Sequence, residues 1–355
     1  EAIEVFARAA ELDPEAADTW YHMGLALHTL GRPEEAVTAL GRALELQAEA
    51  PDAWYYHGIS LSALHRHTEA LESFEKGLAV QGRDGRLWHG KGVALAELDR
   101  NEEAARALGV AVEIDPADER AWYTMGVSLH RLGRYAESVP ALEKSVTLDP
   151  ANLEGWLLLG FDLHELGRNE EAISAAEGAR RADPGNLRAW TLLGLAQRDL
   201  GRQAEALESL GHVTSLSPSD AEAWFEKGVV EAGLGLWEEA EVSLRKALEL
   251  EPSHPGALFE LGKILARAGS HGEAIEFFRR LVRLDPGNGE AWYWLGMSLS
   301  LSGEGEEALE AFEKTLKEKY PTATTIRYKG ALDIGDKMAA QVAKEVDTLV
   351  YGVGD

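Results

Sequence analysis

A 34-residue period runs along this chain in nine copies without insertion or deletion, and a tryptophan stands at the same place in eight of them. Its sites, with one leucine among them, are Trp20, Trp54, Trp88, Trp122, Trp156, Trp190, Trp224, Leu258 and Trp292. Such a period indicates that each copy is one supersecondary unit, which buries its apolar face only against its neighbours. The 355 residues also exceed the ~250–300 at which a single compact core stops growing. A single globule is therefore not expected.

Three further positions repeat with each tryptophan site. Four residues after the site stands a glycine: Gly24, Gly58, Gly92, Gly126, Gly160, Gly194, Gly228, Gly262 and Gly296. Sixteen residues after it stands an alanine or serine, and twenty residues after it a leucine or phenylalanine, with Ala176 as the exception. Small residues at fixed places, the glycine on one helix and the alanine or serine on the other, are expected to let the two backbones approach closely, with the tryptophan filling the remaining space.

The local chemistry within each repeat predicts two antiparallel helices. In the first repeat, apolar residues recur at helical spacing at Trp20, Met23, Leu27 and Leu30. Gly31 suits the end of this first helix, and Pro33 suits the start of the second, where a missing N–H costs nothing. Glycines in the same place are predicted to end the first helix in six more repeats: Gly133, Gly167, Gly201, Gly235, Gly269 and Gly303.

With its tryptophan, glycine, alanine and closing proline at these spacings, the chain resembles the tetratricopeptide repeat (TPR) family over about residues 1–320. The resemblance implies an all-α fold, a right-handed superhelical solenoid of stacked antiparallel helix pairs. About nine full repeats with partial terminal units are expected. Residues 17–320 would hold the nine repeats, residues 1–16 the second helix of a truncated repeat, and residues 321–355 a degenerate tenth helix pair.

The two ends depart from the repeat. Ala2, Phe6 and Ala9 match a second helix whose first-helix partner is absent, so we expect its apolar face to be frayed or covered by a neighbouring molecule. Near the other end, Ile326 stands at the tryptophan position and Val342 at the alanine position. An atypical terminal repeat is expected to cap the array. A helix docked from a separate downstream domain is the alternative.

Composition excludes several classes of function. The formal net charge of −26 argues against nucleic acid and anionic membranes as partners, since both are polyanions. There is no cysteine, so thiolate catalysis and thiolate metal sites are absent. No apolar run reaches the ~18 residues of a membrane span, and no signal peptide is visible. A cytoplasmic location is the expectation, although Glu1 is not an initiating Met and a preceding address is left open.

The sequence contains no complete catalytic, metal or cofactor motif. The segment from Gly85 to Gly92 approaches a phosphate-binding loop, but it lacks the required Ser or Thr. His164 and Glu165 begin a zinc-protease pattern, and Arg168 stands where its second histidine belongs. Active sites are usually carried on loops, and the strict period leaves no inserted loop. We therefore predict a protein that is not an enzyme and binds neither metal nor cofactor.

The TPR resemblance implies that partners bind the concave face, which the first helices line. The main groove positions lie one and five residues after each tryptophan site, with a further position eight residues after it. The predicted peptide-binding residues are Tyr21, Leu25, His28, Tyr55, Ile59, His89, Tyr123, Val127, His130, Leu157, Phe161, His164, Arg198, Phe225, Phe259 and Tyr293. This stripe is largely apolar and aromatic. The alternative is that these side chains simply pack between neighbouring helices.

Polar residues at repeated positions suggest further contacts. Two residues before the tryptophan, the charge alternates through Arg120, Glu154, Arg188 and Glu222, so neighbouring repeats are expected to pair there. Some expected core positions are polar, namely His57, Lys91, Gln197, Lys227 and Glu231. We expect them to be partly exposed, with a local ion pair between Lys227 and Glu231. The alternative is that a partner contacts repeat seven at these residues.

The sequence thus predicts an interaction scaffold that binds a peptide or helix with apolar anchors on its concave face. The alternative is a structural or oligomerisation module, or a regulatory segment of a larger protein, that assembles through its exposed ends. Self-association would then use the truncated N-terminal helix.

Overall fold

The computed structural model describes residues 2–319, which form nineteen α-helices and contain no strand. They fall into two compact units, one ending at Ala196 and the other beginning at Gln197. The predicted tenth helix pair lies outside the described residues. The prediction of an all-α fold is confirmed.

Twelve helices begin in the first unit, and the unit boundary lies within the twelfth. They are α1 (Ala2–Leu12), α2 (Ala17–Thr29), α3 (Pro33–Leu46), α4 (Pro51–Ala63), α5 (His67–Val80), α6 (Gly85–Glu97), α7 (Asn101–Ile114), α8 (Glu119–Arg131), α9 (Tyr135–Leu148), α10 (Leu153–Glu165), α11 (Asn169–Ala182) and α12 (Leu187–Asp199). The second unit continues with α13 (Gln203–Leu216), α14 (Ala221–Gly233), α15 (Trp237–Leu250), α16 (Pro255–Arg267), α17 (His271–Leu284), α18 (Gly289–Leu301) and α19 (Gly305–Lys319).

Within each unit the helices pack in chain order as a helical solenoid. The first and second helix of a repeat contact each other, as α2 and α3 do, and the second helix then packs on the first helix of the next repeat, as α3 does on α4. Each helix therefore buries its apolar face against sequence neighbours alone, which is how a repeat protein grows without one central core.

A turn in the left-handed conformation joins the two helices of each repeat. All seven glycines predicted to end first helices have a positive φ, between 69° and 85°. In the second and third repeats, His65 and Asp99 adopt the same conformation with φ of 56° and 58°. The turn geometry is thus kept where glycine is missing, although a side chain makes it less favourable.

The repeated glycine packs against the large residue sixteen positions later. Leu40 lies over Gly24 and Leu142 over Gly126, so closely that a Cβ on the glycine would stand 2.5–2.6 Å from the leucine side chain. The fifth repeat has Ala176 in place of the large residue. There Leu192 of the next repeat fills the space beside Gly160.

The tryptophans do more than fill space. All eight that occupy the repeat site are only half-buried, and each indole N–H donates a hydrogen bond of 2.8–3.1 Å to the backbone carbonyl six residues earlier. That carbonyl belongs to the turn between two repeats, for example Pro116 for Trp122. The indole therefore fixes the turn between two repeats to the first helix that follows it.

Two of the polar core positions are buried rather than partly exposed, so the prediction for Gln197 and Glu231 is wrong. Gln197 is 7% exposed and accepts a hydrogen bond of 2.7 Å from Ser209. Glu231 is 4% exposed and accepts one of 2.6 Å from Ser243. In each case the serine lies on the facing second helix and supplies the partner that burial requires. The predicted ion pair of Lys227 with Glu231 is confirmed at 3.1 Å.

Candidate peptide-binding surface

The first helices lie on the inner side of each unit. Successive first helices contact one another along α2, α4, α6, α8 and α10, and again along α14, α16 and α18. Successive second helices show no such backbone approach within the described residues, and long side chains join them instead, as Arg245 of α15 joins Glu273 of α17. The stack in each unit is therefore tighter along its first helices, which form its concave side. We call this side the first-helix face.

Most of the predicted peptide-binding residues are half-buried. This holds for Tyr21, Leu25, His28, Tyr55, Ile59, His89, Tyr123, Val127, His130, His164, Arg198, Phe225, Phe259 and Tyr293. Phe161 is 43% exposed, whereas Leu157 is only 3% exposed and packs with Ala179 and Ala189. Leu157 therefore offers no surface to a partner, and Phe161 offers the most apolar surface of the set.

An aromatic cluster covers the first two repeats on this face. The ring centroids of Tyr21 and Tyr56 lie 6.5 Å apart, those of His28 and Tyr56 5.8 Å apart, and those of Tyr55 and Tyr56 5.2 Å apart. Arg86 of the third repeat lies 5.1 Å from the centre of the Tyr55 ring. Rings held in this way lose little conformational freedom when a ligand packs on them.

Charged groups around this cluster hold Arg86 in place. Its guanidinium donates hydrogen bonds to Asp52 at 2.7 Å and to Asp84 at 2.8 Å.

Burial is the main cause that raises the pKa of both the Tyr21 and the Tyr55 phenol. At Tyr21 the negative charge of Asp52 raises the pKa further. Both phenols are therefore neutral at physiological pH and can donate a hydrogen bond to a partner.

A second cluster surrounds Phe161 in the middle of the first unit. His130 meets Phe161 edge-to-face with centroids 5.5 Å apart, and Tyr135 lies 5.6 Å from His130 and 6.2 Å from Phe161. Below them Asp162 is fully buried and bonds His130 Nδ1 at 2.6 Å. Burial raises the pKa of the Asp162 carboxyl above its ordinary value. The His130 ring thus links two repeats and orients Phe161 toward solvent.

Histidines of the predicted stripe serve mainly to connect neighbouring repeats. His28 Nδ1 lies 3.0 Å from Ser60 Oγ, in the same relation as His130 to Asp162. His89 Nδ1 lies 2.8 Å from Asp118, the residue that caps the next first helix. These bonds fix the register between repeats, so the histidines contribute their ring faces rather than a free ring nitrogen at Nδ1.

The predicted charge pairing between repeats is found at one of the expected steps. Arg188 donates to Glu154 at 2.9 Å, and Arg86 with Asp52 repeats this arrangement near the N-terminus. Glu222 instead accepts a hydrogen bond of 2.8 Å from His254 Nε2, because His254 Nδ1 accepts from the Ala257 N–H and leaves Nε2 as the donor. Exposed pairs of this kind contribute about 0–1 kcal/mol each.

Sequence reasoning missed three contributors to the first-helix face. Tyr56 and Trp294 lie two residues after the tryptophan site, and Tyr135 begins the second helix α9. The sequence shows that an aromatic residue stands two positions after the tryptophan site, but it does not show which way that side chain points. The rings reach the face only because of how neighbouring repeats stack.

Over residues 2–319, no group of three or more His, Asp or Glu side chains is arranged to hold a metal ion. Within the same range, no helix has both the length and the apolar composition needed to cross a membrane.

The paired helices, their 34-residue period and the concave first-helix face define a helical repeat protein built from two-helix units. The chain belongs to the tetratricopeptide repeat family. One model of that family matches residues 1–53, 21–79, 55–119, 191–244 and 233–289, and a second matches residues 129–195 and 265–332. None of the curated proteins compared with it matches significantly.

Several solved structures are similar. YrrB, described as a TPR protein with an unusual peptide-binding site, is 25% identical, with a TM-score of 0.50 over 54% of this chain and 98% of that chain. The C-terminal part of a TPR repeat-containing protein from Cytophaga hutchinsonii is 18% identical, with a TM-score of 0.56 over 68% and 99%, and shows likeness of fold alone. MamA is 27% identical, with a TM-score of 0.44 over 46% and 95%.

Proposed function

We propose that this protein is a non-enzymatic interaction scaffold whose first-helix face captures a peptide or helix with apolar anchors. The observation that carries the proposal is the exposed ring of Phe161, held edge-on by His130 and Tyr135. Aromatic residues fixed in this way dominate binding energy at interfaces. The peptide-binding site described for YrrB, which shares the fold, supports the proposal.

The first-helix face favours apolar over charged ligands. Its carboxylates Asp52, Glu154 and Asp162 are each already bonded to Arg86, Arg188 and His130 respectively. What remains open to a partner is ring surface with neutral phenol groups at Tyr21 and Tyr55. An amphipathic helix or an extended segment with alternating apolar side chains matches this chemistry.

Replacing Phe161 with Ala is expected to weaken peptide capture at least tenfold, because it removes the most exposed anchor of the face, and tenfold corresponds to about 1.4 kcal/mol. Random 12-residue peptides displayed on phage would be selected on the full chain, and the dissociation constants of enriched peptides measured by fluorescence anisotropy. Leu216→Ala is the matched control, since Leu216 is a similarly exposed apolar residue on a second helix, 54% exposed. Peptides that bind Phe161→Ala and the unmodified chain equally well would refute the assignment of this face.

A second candidate function, assembly through the N-terminal helix α1, is favoured by Val5. This residue is 67% exposed, whereas Ala39 and Ala107, at the same place in complete repeats, are 2% and 3% exposed. If α1 pairs with a second copy, light scattering will give a mass that rises with protein concentration, and Val5→Glu will abolish the rise. A mass that stays monomeric across the series would leave the scaffold proposal alone standing.

A further inference from the structure

Two tryptophans lie outside the repeat register, and the fold brings them together. Trp237 begins α15 and Trp294 lies in α18, yet the guanidinium carbon of Arg267 is 5.9 Å from the ring centre of each. Trp294 stacks on Phe278 with centroids 6.3 Å apart, while Trp237 is 46% exposed. The exposed indole is thus held against a cation on one side and open on the other.

The residues around Trp237 differ from those at the same places in other repeats. Twelve residues after the tryptophan site, the first six repeats carry arginine: Arg32, Arg66, Arg100, Arg134, Arg168 and Arg202. Repeat seven has Leu236 there, 37% exposed. Eighteen residues after the site, it has Val242, 67% exposed, where seven of the other eight repeats have a polar or charged residue. Repeat seven alone combines these apolar replacements with an exposed indole.

The same replacement leaves Glu239 without a cation. In the first five repeats, the arginine binds the glutamate three residues later, as Arg66 binds Glu69 at 2.5 and 2.7 Å. In repeats eight and nine, where that arginine is absent, an arginine of the preceding second helix takes its place. These pairs are Arg245 with Glu273 at 2.8 Å and Arg279 with Glu307 at 2.6 Å.

Repeat seven has neither arrangement. Leu236 replaces the first arginine, and Gly211 stands where the second would come from. Glu238 and Glu239 are exposed, and within the described range no ion pair involves either of them. Val242 lies one helical turn from both, so carboxylates and apolar side chains share one surface.

We infer that this surface, the repeat-seven patch, is a second docking site and that its partner is a protein segment with a large apolar side chain next to Lys or Arg. The patch comprises Leu234, Leu236, Trp237, Glu238, Glu239 and Val242. Trp237 and Leu236 accept the apolar side chain, and Glu238 and Glu239 pair with the cation. The patch is formed by the loop before α15 and the exposed side of that second helix, in a different repeat from Phe161.

Charge decides between the possible occupants. A second copy of this chain would bring a net charge of −26 against two unpaired carboxylates, which is repulsive. A basic segment gains attraction instead. Trp237 is also held in place before binding by Arg267, which reduces the ordering cost of binding. An indole flanked by complementary charge is the composition typical of interface hot spots.

The test uses the full chain carrying Phe161→Ala, which weakens the contribution of the first-helix face. Random 12-residue peptides displayed on phage would be selected on it, with counter-selection on the same chain carrying Leu236→Arg. That replacement restores the residue found in the first six repeats and a partner for Glu239, so the variant is expected to fold normally, which circular dichroism checks. Trp237→Gln provides an independent disruption and Leu216→Ala the control.

The expected result is enrichment of peptides in which Lys or Arg adjoins a large apolar residue. Their dissociation constants should rise at least tenfold with Leu236→Arg and with Trp237→Gln, and stay unchanged with Leu216→Ala. Raising the salt concentration should weaken the binding of these peptides. The inference is overturned if nothing is enriched over the counter-selection, if the enriched peptides lack basic residues, or if both variants bind as tightly as the parent. It is equally overturned if the patch variants abolish a concentration-dependent self-association, since the occupant would then be a second copy.

Discussion

Replacing Phe74 with Ala is expected to lower the free energy of unfolding of the repeats around it by about 3–5 kcal/mol. The Phe74 side chain is 1% exposed, and its ring lies between Gly58 of its own repeat and Gly90 of the next. A Cβ on these glycines would stand 2.6 and 2.5 Å from the ring. Truncation removes apolar contact on both sides and leaves a cavity that backbone cannot fill. Urea denaturation followed by circular dichroism measures the loss.

Two glycine replacements test whether Phe74 is packed between two repeats. Gly90→Ala changes a contact of the ring, and Gly109→Ala is the control at an open position. Gly90→Ala puts a methyl group against a ring that Gly58 blocks from behind, so it should destabilise by about 1–3 kcal/mol. Gly109 lies inside α7 with nothing within 4 Å of the Cβ position, so Gly109→Ala should stabilise by about 0.8–1 kcal/mol through helix propensity. Equal effects of the two replacements would contradict the packing of Phe74 between two repeats.

The free energy of unfolding is expected to fall by about 2–3 kcal/mol as the pH drops from about 6.5 to about 4, because of His57. The pKa of His57 is lowered to about 4, mainly by burial. The positive charges of Arg66 and Lys76 lower it as well, and the negative charge of Glu69 opposes them only in part. The folded state therefore keeps the ring neutral while the unfolded chain binds a proton. The stabilisation is fully present above pH 6.5 and is lost as the pH falls through the folded pKa. A pKa shift of this size corresponds to about 3 kcal/mol at most. Solvent screening at the half-buried ring reduces this value.

The hydrogen bonds around His57 explain why Gln is the appropriate replacement. Ser73 Oγ donates to the Glu69 carbonyl at 2.8 Å, so it accepts from the Nδ1–H of His57 at 2.9 Å. The amide of Gln offers a comparable donor without titrating. His57→Gln should therefore flatten the pH dependence of the urea midpoint between pH 4 and 6.5, and His22→Gln, at an exposed ring, should not. An unchanged slope in His57→Gln would assign the acid loss to other groups.

The periodic positions could be predicted from sequence because the repeat allows few alternatives. A glycine followed sixteen residues later by Leu40, Phe74 or Leu142 must place a large side chain over a bare backbone if both lie on facing helices. The loop glycines with positive φ follow from the same regularity. Such contacts are local, recur in register and involve residue types with few other uses.

Contacts found in only one or two repeats could not be predicted in this way. The partner of buried Glu231 is Ser243, twelve residues away on another helix, and a serine within a helix carries no signal of its direction. Leu192 fills the space left by Ala176 from a different repeat. On the candidate surface, Leu157 is buried and Phe161 exposed, although both stand at predicted groove positions.

The sequence by itself determined that this chain is a stack of paired helices, because only such pairs place a tryptophan, a glycine and an alanine at fixed helical positions every 34 residues. Tertiary structure alone decided which side chains a partner can reach. Exposure depends on how much of each ring the neighbouring repeat covers. Contacts between repeats set this coverage, for example the hydrogen bond of His130 with Asp162 and the position of Arg267 between Trp237 and Trp294. These contacts join residues more than 25 positions apart, a distance at which the pattern within a single repeat carries no information.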